Sequence, residues 1–313
     1  MGLEAANLAA SMTLSFSTCW NSHRHRDGRA MLDEIRNLGF RQVELGHGVK
    51  LSLIPGIREA SDAGAVFSSL HNFCPVPVEV QKASPDCYEF TSHQKSARSR
   101  ALKLTYQTID LAVELEASFV ILHLGSVPME AATDSLEDYA EKYGLYSRQY
   151  IDQKLKLIAK RESLGPRYYD RALEALRHLA EYAAARNIHL GIESRHGYEQ
   201  VPSEREMLRM LDELNSPYVG YWHDFGHVQI KANLGLLDHV EWLRMIRHRL
   251  LGCHLHDVRW LARDHQPPFT GMIDYDTLIP LLPSDCLLVW EMSPSRSLEQ
   301  VIEARDRWET TFT

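Results

Sequence analysis

The stretch Val219–His227, VGYWHDFGH, begins as an apolar run and ends in side chains that can bind metal ions. Asp224 and His227 lie three residues apart, where a strand-like run passes into a loop. A carboxylate and an imidazole at such a point can hold a divalent cation or transfer a proton. One such pair is a weak indication, because an aspartate after a strand commonly forms a cap or a turn.

The same pattern recurs at the ends of other apolar runs, each of which finishes in His, Glu or Asp. These runs are Val66–His71, Phe119–His123, Ile188–Glu193, Leu251–Asp257 and Leu287–Glu291. Each ending has an ordinary structural explanation when it is taken alone. Together they form a set of ligand-type side chains at strand ends, which requires a fold that brings those ends together.

The composition sets broad limits on what the protein is. With 313 residues, 44% of them hydrophobic and 24% charged, the chain resembles an ordinary soluble globular protein. A net charge of −8 gives no reason to expect a nucleic-acid or membrane partner. No apolar run approaches the roughly 20 residues that a bilayer span requires. The five cysteines lack Cys-x-x-Cys spacing and no signal peptide is evident, so we expect free thiols, a cytoplasmic location and a flexible extension at 1–11.

Strand patterns alternate with helical patterns along the chain, which is typical of a parallel sheet with helical crossovers. The predicted strands are Thr13–Cys19, Arg41–Leu45, Ala65–His71, Ser118–Leu124, 188–193, 218–224, 251–256 and 286–292. A helix is predicted over 234–249, after the sixth strand. Eight such units predict an α/β protein with one closed (β/α)8 TIM barrel domain over 1–313, with a helical insertion at 126–167 after strand four. The absence of Gly-x-Gly-x-x-Gly after the first strand disfavours a dinucleotide-binding fold.

In such a barrel the carboxyl ends of the strands form one rim, and active sites lie on that rim. The last four strands end in three carboxylates and one imidazole. Oxygen-rich sets of this kind suit Mn²⁺, Mg²⁺ or Co²⁺ better than structural zinc. We therefore predict one divalent metal ion, with the ligands Glu193, Asp224, His256 and Glu291.

Three motifs give the chain a resemblance to a known superfamily. They are Asp224-x-x-His227, the run His254-Leu255-His256-Asp257, and Glu193 followed six residues later by Glu199. With these motifs the chain resembles the xylose-isomerase-like barrels over most of its length, outside 126–167. That superfamily includes sugar isomerases, ketose 3-epimerases, sugar-acid dehydratases and endonuclease IV-type abasic-site nucleases.

The resemblance to ketose 3-epimerases implies the same four metal ligands, with His227 and Glu199 gripping the substrate. The epimerases have an arginine where this chain has Ala262, so Arg259 or Arg263 is expected to take its place. Further substrate contacts are expected from His71, His123 and Trp20.

The expected chemistry is proton transfer beside a carbonyl group. A cation chelated by a hydroxyl and the adjacent carbonyl oxygen acidifies the C–H between them and stabilises an enediolate. Two carboxylates on opposite sides of that carbon can remove a proton from one face and return it to the other. Glu193 and Glu291 are predicted to be this acid–base pair, in an isomerase or epimerase acting on a sugar or polyol.

Two other activities stay open at this point. A sugar-acid or polyol dehydratase would use the same ion. An endonuclease IV-like phosphodiesterase would hold three Zn²⁺ ions with additional ligands, namely His71, His123, His227, Asp264 and His265. One divalent ion leaves the site at a charge of about −1, which suits a neutral polyol, whereas three zinc ions leave about +2, which suits a phosphate. The acidic chain favours a small-molecule sugar substrate, and the Tyr-rich segment 126–167 is expected to be a lid, a homo-oligomer contact or a solvated excursion.

Overall fold

Short apolar runs become parallel strands here because helices and the barrel interior cover both of their faces. The structure, a computed structural model, describes residues 14–130 and 132–312. Eight strands form the barrel: β1 Leu14–Ser17, β2 Gln42–Leu45, β3 Val66–His71, β4 Phe119–Leu122, β5 His189–Glu193, β6 Val219–Asp224, β7 Leu250–Leu255 and β10 Leu287–Trp290. They close in the order β1-β10-β7-β6-β5-β4-β3-β2. The predicted (β/α)8 barrel is confirmed, while the extension predicted at 1–11 lies outside the described residues.

Helices surround this barrel and connect its strands. In chain order they are α1 Gly28–Asn37, α2 Ile54–Asp62, α3 Lys95–Glu114, α4 Ala132–Tyr143, α5 Arg148–Leu164, α6 Pro166–Ala184, α7 Glu204–Leu214, α8 Phe225–Asn233, α9 His239–Ile246, α10 Tyr275–Leu278 and α11 Leu298–Phe312. Within 14–130 and 132–312, no helix is both long and apolar enough to cross a membrane.

The segment after β6 differs from the prediction of one helix over 234–249. Helix α8 begins directly at Phe225, and α9 follows it as a separate helix. Asp224 causes the early start, because its side chain accepts a hydrogen bond of 2.7 Å from the backbone N–H of His227 and so caps α8. A second difference is a small antiparallel hairpin of β8 (Asp257–Arg259) and β9 (Arg263–Gln266) beyond β7, which the sequence pattern did not indicate.

Two helices, α4 and α5, lie between β4 and the helix that precedes β5. Polar contacts tie α5 to the rest of the molecule. The Tyr150 hydroxyl donates to the carbonyl of Leu234 at 2.5 Å, and the buried Arg161 guanidinium donates to both carboxylate oxygens of Glu206 at 2.9 and 2.6 Å. Helix α5 is therefore tied to neighbouring units of the barrel.

The barrel interior is apolar at its base and polar at its carboxyl end. Alternate residues of a strand point to the same side, so Trp222 lies one step below Asp224. The buried Trp222 indole packs with Ile121, Leu287 and Val289, and its ring lies 5.4 Å from the His254 ring. Trp222 and these three apolar side chains, which we call the Trp222 plug, therefore form an apolar layer directly below the polar residues of the rim.

A glycine makes room for this plug. A Cβ added at Gly252 would lie 2.5 and 2.6 Å from Cζ3 and Cη2 of Trp222, the far end of the indole. We expect Gly252→Ala to lower the free energy of unfolding by about 1–3 kcal/mol through overpacking. Because phenylalanine lacks those two atoms, the cost should shrink in a Trp222→Phe background. Urea denaturation of the four proteins in this double-mutant cycle checks the prediction, and equal costs in both backgrounds would contradict it.

Candidate active site

Four side chains meet at the carboxyl end of the barrel, one in or directly after each of the last four barrel strands. They are Glu193, Asp224, His254 and Glu291. All four are buried, and one potential ligand atom of each lies within 4.8 Å of the others. The structure thus brings together three of the four predicted metal ligands, and it adds a histidine that was not predicted.

The histidine of this group is His254, whereas the sequence prediction named His256. The Nδ1 atom of His254 lies 3.2 Å from Glu291 Oε2 and 3.4 Å from Glu193 Oε1. The two histidines are two residues apart, so in an extended chain their side chains point to the same side. Strand periodicity therefore did not distinguish them. His254 lies within β7, while His256 follows the last residue of that strand.

His256 has its own partners above the four-residue group. Its Nδ1 accepts a hydrogen bond of 2.9 Å from the backbone N–H of His265, and its Nε2 lies 3.0 Å from Asp224 Oδ1. The rings of His256 and His265 stack at a centroid distance of 4.2 Å. His256 therefore contacts Asp224 from outside the four-residue group, and it also converges with His265 and Glu291.

A buried carboxylate fixes the orientation of the His254 ring. Glu44 Oε2 lies 3.2 Å from His254 Nε2 and accepts a hydrogen bond of 2.8 Å from the Ser69 hydroxyl. Carboxylate–histidine pairs of this kind commonly stand behind metal-binding imidazoles and set their tautomer. With Nε2 turned toward Glu44, Nδ1 faces the other carboxylates of the rim.

The residues present fit a divalent cation. Among the described residues, the buried Nδ1 of His254 has no hydrogen-bond partner, although it faces carboxylate oxygens. Burial lowers the pKa of His254, but Glu291, Glu44 and Glu193 together raise it well above its usual value. The site therefore favours a positive charge at this position, which a proton or a metal ion can provide. Three carboxylates and one imidazole form a donor set suited to Mn²⁺, Mg²⁺ or Co²⁺.

A second group of potential ligands shares Glu193 with the first. The Nε2 atoms of His71 and His123 each lie 2.9 Å from Glu193 Oε2. The other oxygen, Oε1, faces His254 and also His227, whose Nδ1 is 3.3 Å away. Glu193 thus presents one oxygen to each of two histidine-containing groups.

Of the remaining candidate ligands for a third ion, His265 converges with His256 and Glu291, but in the described part of the chain Asp264 and His227 do not join that group. Asp264 and His265 contact each other at 3.1 Å, and the ring of His227 lies 6.1 Å from that of His265. In the part of the chain that the structure describes, these three residues do not form a group with converging ligand atoms. Burial lowers the pKa of His265, but Asp264 and Glu291 raise it to about 10, so its imidazole is cationic at neutral pH.

Three predicted substrate-binding residues lie outside both groups. Glu199 accepts a hydrogen bond of 2.5 Å from the Thr133 hydroxyl. Arg259 is exposed and donates to a backbone carbonyl in the following loop at 3.2 Å. Trp20 is buried in the core and donates its indole N–H to the backbone carbonyl of Arg296 at 2.8 Å. The structure gives each of them a structural contact instead of a place beside the converging ligands.

An open cavity gives access to the rim beside Glu291. Its volume is about 490 Å³. The side chains that line it include Cys19, His47, Asp264, His265 and Glu291. Of these, Cys19 and His47 were not predicted to be site residues. Cys19 could have been recognised, because its thiol ends the first predicted strand.

An ion pair that the sequence did not indicate holds the long loop between β3 and α3 over the site. Arg195 is buried and donates to both carboxylate oxygens of Asp86 at 2.9 and 2.8 Å. Asp86 Oδ1 also lies 3.2 Å from Nδ1 of His123. The loop thereby fixes the His123 ring with its Nε2 toward Glu193.

Comparison with known proteins places the fold in a family. Residues 32–308 match the family described as xylose isomerase-like TIM barrel. The chain belongs to this family. It is 23% identical over 292 residues to an uncharacterized protein, y4fM, of Sinorhizobium fredii (strain NBRC 101917 / NGR234), a match that covers 85% of this chain and 83% of the relative.

Solved structures share the fold at low sequence identity. A D-tagatose 3-epimerase-like protein superposes with a TM-score of 0.68 and 16% identity, covering 96% of this chain and 97% of the other. An L-ribulose 3-epimerase gives 0.66 and 16%, covering 96% and 94%. The 3-keto-D-glucoside 4-epimerase YcjR from E. coli gives 0.67 and 14%, covering 96% and 99%. At these identities the likeness shows the fold alone.

The Asp86–Arg195 pair generates a stability prediction. Burial raises the pKa of Asp86, but Arg195 and His123 lower it well below its usual range. Asp86→Ala leaves the Arg195 charge buried and unpaired, so we expect a loss of about 2–3 kcal/mol, less than for a fully buried pair because the Asp86 side chain is 32% exposed.

Urea denaturation checks this value, and Asp86→Ala/Arg195→Met is the matched control that removes both charges and should recover most of the loss. A carboxylate with a lowered pKa stabilises the fold above its unfolded pKa. The difference between wild type and Asp86→Ala should therefore be full at pH 7 and decline below about pH 4. A difference that grows on acidification would contradict this account.

Proposed function

We propose that this protein is a divalent-metal-dependent isomerase or epimerase that acts on a sugar or related polyol. The observation that carries the proposal is the convergence of Glu193 and Glu291 in one buried group with Asp224 and His254. These four residues would hold an ion of the Mn²⁺, Mg²⁺ or Co²⁺ class. Such an ion supplies Lewis acidity toward a carbonyl oxygen and its neighbouring hydroxyl, which acidifies the C–H bond between them.

Glu193 and Glu291 are the proposed acid–base pair. Burial raises the pKa of Glu291, but His254 and His265 lower it to about 2. The pKa of Glu193 is lowered well below its usual value, against burial, by His123 and His254. Both side chains are therefore ionised at neutral pH, so either can accept the proton of the C–H bond. The carboxylate on the opposite face would first have to take up a proton from solvent before it could return one to the carbon. A carboxylate with so low a pKa is a weak base, so its effect depends on close placement beside an acidified carbon.

The structural neighbours and the charge of the site support a neutral sugar as the substrate. Two neighbours are a D-tagatose 3-epimerase-like protein and an L-ribulose 3-epimerase, and another, a D-allulose 3-epimerase from Methylomonas sp., was crystallised with D-allulose. Three carboxylates and one divalent ion leave a charge of about −1, which repels phosphate. The cavity of about 490 Å³ beside Glu291 has room for a monosaccharide.

A multi-zinc phosphodiesterase is the second candidate, because His71, His123 and Glu193 form a converging group of their own. Two ions that share Glu193 would make the rim more positive and more suited to a phosphate. Two or more zinc ions per purified chain, with hydrolysis of an abasic-site oligonucleotide and no conversion of ketoses, would identify this function instead of the first.

Substitution of Glu193 tests the proposed mechanism. Glu193→Gln keeps the shape of the side chain but removes the base, so we expect turnover to fall by about 10²–10⁴-fold or more while the barrel stays folded. The measurement is conversion of a panel of ketoses with added Mn²⁺, Mg²⁺ or Co²⁺, alongside circular dichroism.

Glu241→Gln, which changes an exposed carboxylate on α9, is the matched control and should retain wild-type activity. Wild-type activity in a folded, metal-loaded Glu193→Gln protein would overturn the mechanism.

A further inference from the structure

A thiol and an imidazole approach Glu291 from the side opposite His254. Cys19 follows β1 and His47 follows β2, so both lie on the same rim as the proposed metal ligands. The Cys19 thiol donates a hydrogen bond of 3.2 Å to Glu291 Oε1, and its sulfur lies 3.7 Å from His47 Nδ1. One ligand atom from each of the three residues falls within 4.8 Å of the others.

The spacing of these atoms matches that of ligands around a tetrahedral ion. Zinc–sulfur and zinc–nitrogen bonds of about 2.3 and 2.0 Å, at a tetrahedral angle, place sulfur and nitrogen about 3.5 Å apart. The observed separations of 3.7 Å for Cys19–His47 and 3.2 Å for Cys19–Glu291 lie on either side of that value. A combination of sulfur, nitrogen and oxygen donors selects borderline and soft cations over Mg²⁺ or Mn²⁺.

The two carboxylate oxygens of Glu291 face different neighbours. Oε1 faces Cys19, whereas Oε2 faces His254 Nδ1 at 3.2 Å. A carboxylate in this position can serve two ions at once, one through each oxygen. The Cys19–His47 side is therefore separate from the four-residue group, although the two share a residue.

We propose that Cys19, His47 and Glu291 form a binding site for a thiophilic divalent cation of the Zn²⁺ or Cd²⁺ class. All three residues line the open cavity, so a fourth coordination position is accessible to water. On binding, the Cys19 thiol releases its proton to solvent and its sulfur bonds to the metal ion. This inference goes beyond the proposed function and does not depend on it, because the donors are in place whatever reaction the rim supports.

The site has a consequence for any reaction that uses Glu291. A cation held by Cys19 and His47 occupies Glu291 Oε1 and withdraws electron density from the carboxylate. Zinc or cadmium bound there would thus inhibit an enzyme loaded with Mn²⁺, even when the four-residue group keeps its own ion.

Cadmium is the probe for this site, because a cadmium–thiolate bond has its own ultraviolet charge-transfer absorption. Titration of the metal-free, full-length protein with Cd²⁺ should give this absorption with saturation at one thiolate-bound ion per chain. Cys19→Ser should abolish it. Cys87→Ser changes the other half-buried thiol and is the matched control, which should leave the signal unchanged. His47→Asn should weaken Cd²⁺ binding by at least about 100-fold.

A second measurement needs no variant and so does not depend on whether Cys19→Ser folds. Bound Cd²⁺ should protect Cys19 from alkylation by iodoacetamide in the wild-type protein, as mapped by mass spectrometry. A full signal in Cys19→Ser, an unchanged affinity in His47→Asn, or absence of protection at Cys19 would overturn the proposal. Absence of sugar turnover would overturn the proposed function while leaving these cadmium results as they are.

Discussion

The structure depends on one electrostatic constraint, the burial of several carboxylates at one end of a barrel. Glu44, Glu193, Asp224 and Glu291 are all buried there. An isolated ionised carboxylate costs several kcal/mol when it is buried, so positive charge must lie nearby. Histidines from five barrel strands or the loops after them surround these acids, and the pKa of His254 is raised well above its usual value as a result. A divalent cation satisfies the same requirement with less protonation.

The barrel explains how such a costly arrangement is held in place. Strands supply the acids in fixed alternation, and the buried Trp222 plug lies directly below them. Contacts around the rim then fix two of the surrounding histidines: Glu44 holds the His254 ring, and Asp86 holds the His123 ring. Because each orienting residue comes from a different unit of the barrel, the geometry of the site depends on the whole fold.

The sequence predicted the barrel well because alternation of strand and helix patterns is a local signal that repeats along the chain. Strand ends also indicated Glu193, Asp224 and Glu291, since each closes an apolar run. The exchange of His254 for His256 shows where that signal stops. Two histidines separated by one residue have the same periodicity, so the pattern does not decide which of them converges with the three carboxylates.

Other residues of the site were beyond prediction for a different reason. Asp86 lies in a polar loop, and its bond to Arg195 joins positions 109 residues apart in sequence. Cys19 and His47 acquire meaning only through contact with Glu291, which is 272 residues away from Cys19. In contrast, Trp20 had a suitable side chain at a strand end, but core packing buries it. Long-range contact and burial are properties of the fold that no local pattern contains.

The affinity of two single variants for Mn²⁺ decides whether the four-residue group is the metal site. His254→Asn removes an imidazole from the four-residue group, whereas His256→Asn removes one that contacts Asp224 from outside. Calorimetric titration of each folded variant should show a loss of at least about 100-fold for His254→Asn and a clearly smaller loss for His256→Asn. The opposite order, or wild-type affinity in both variants, would contradict the assignment of the metal site.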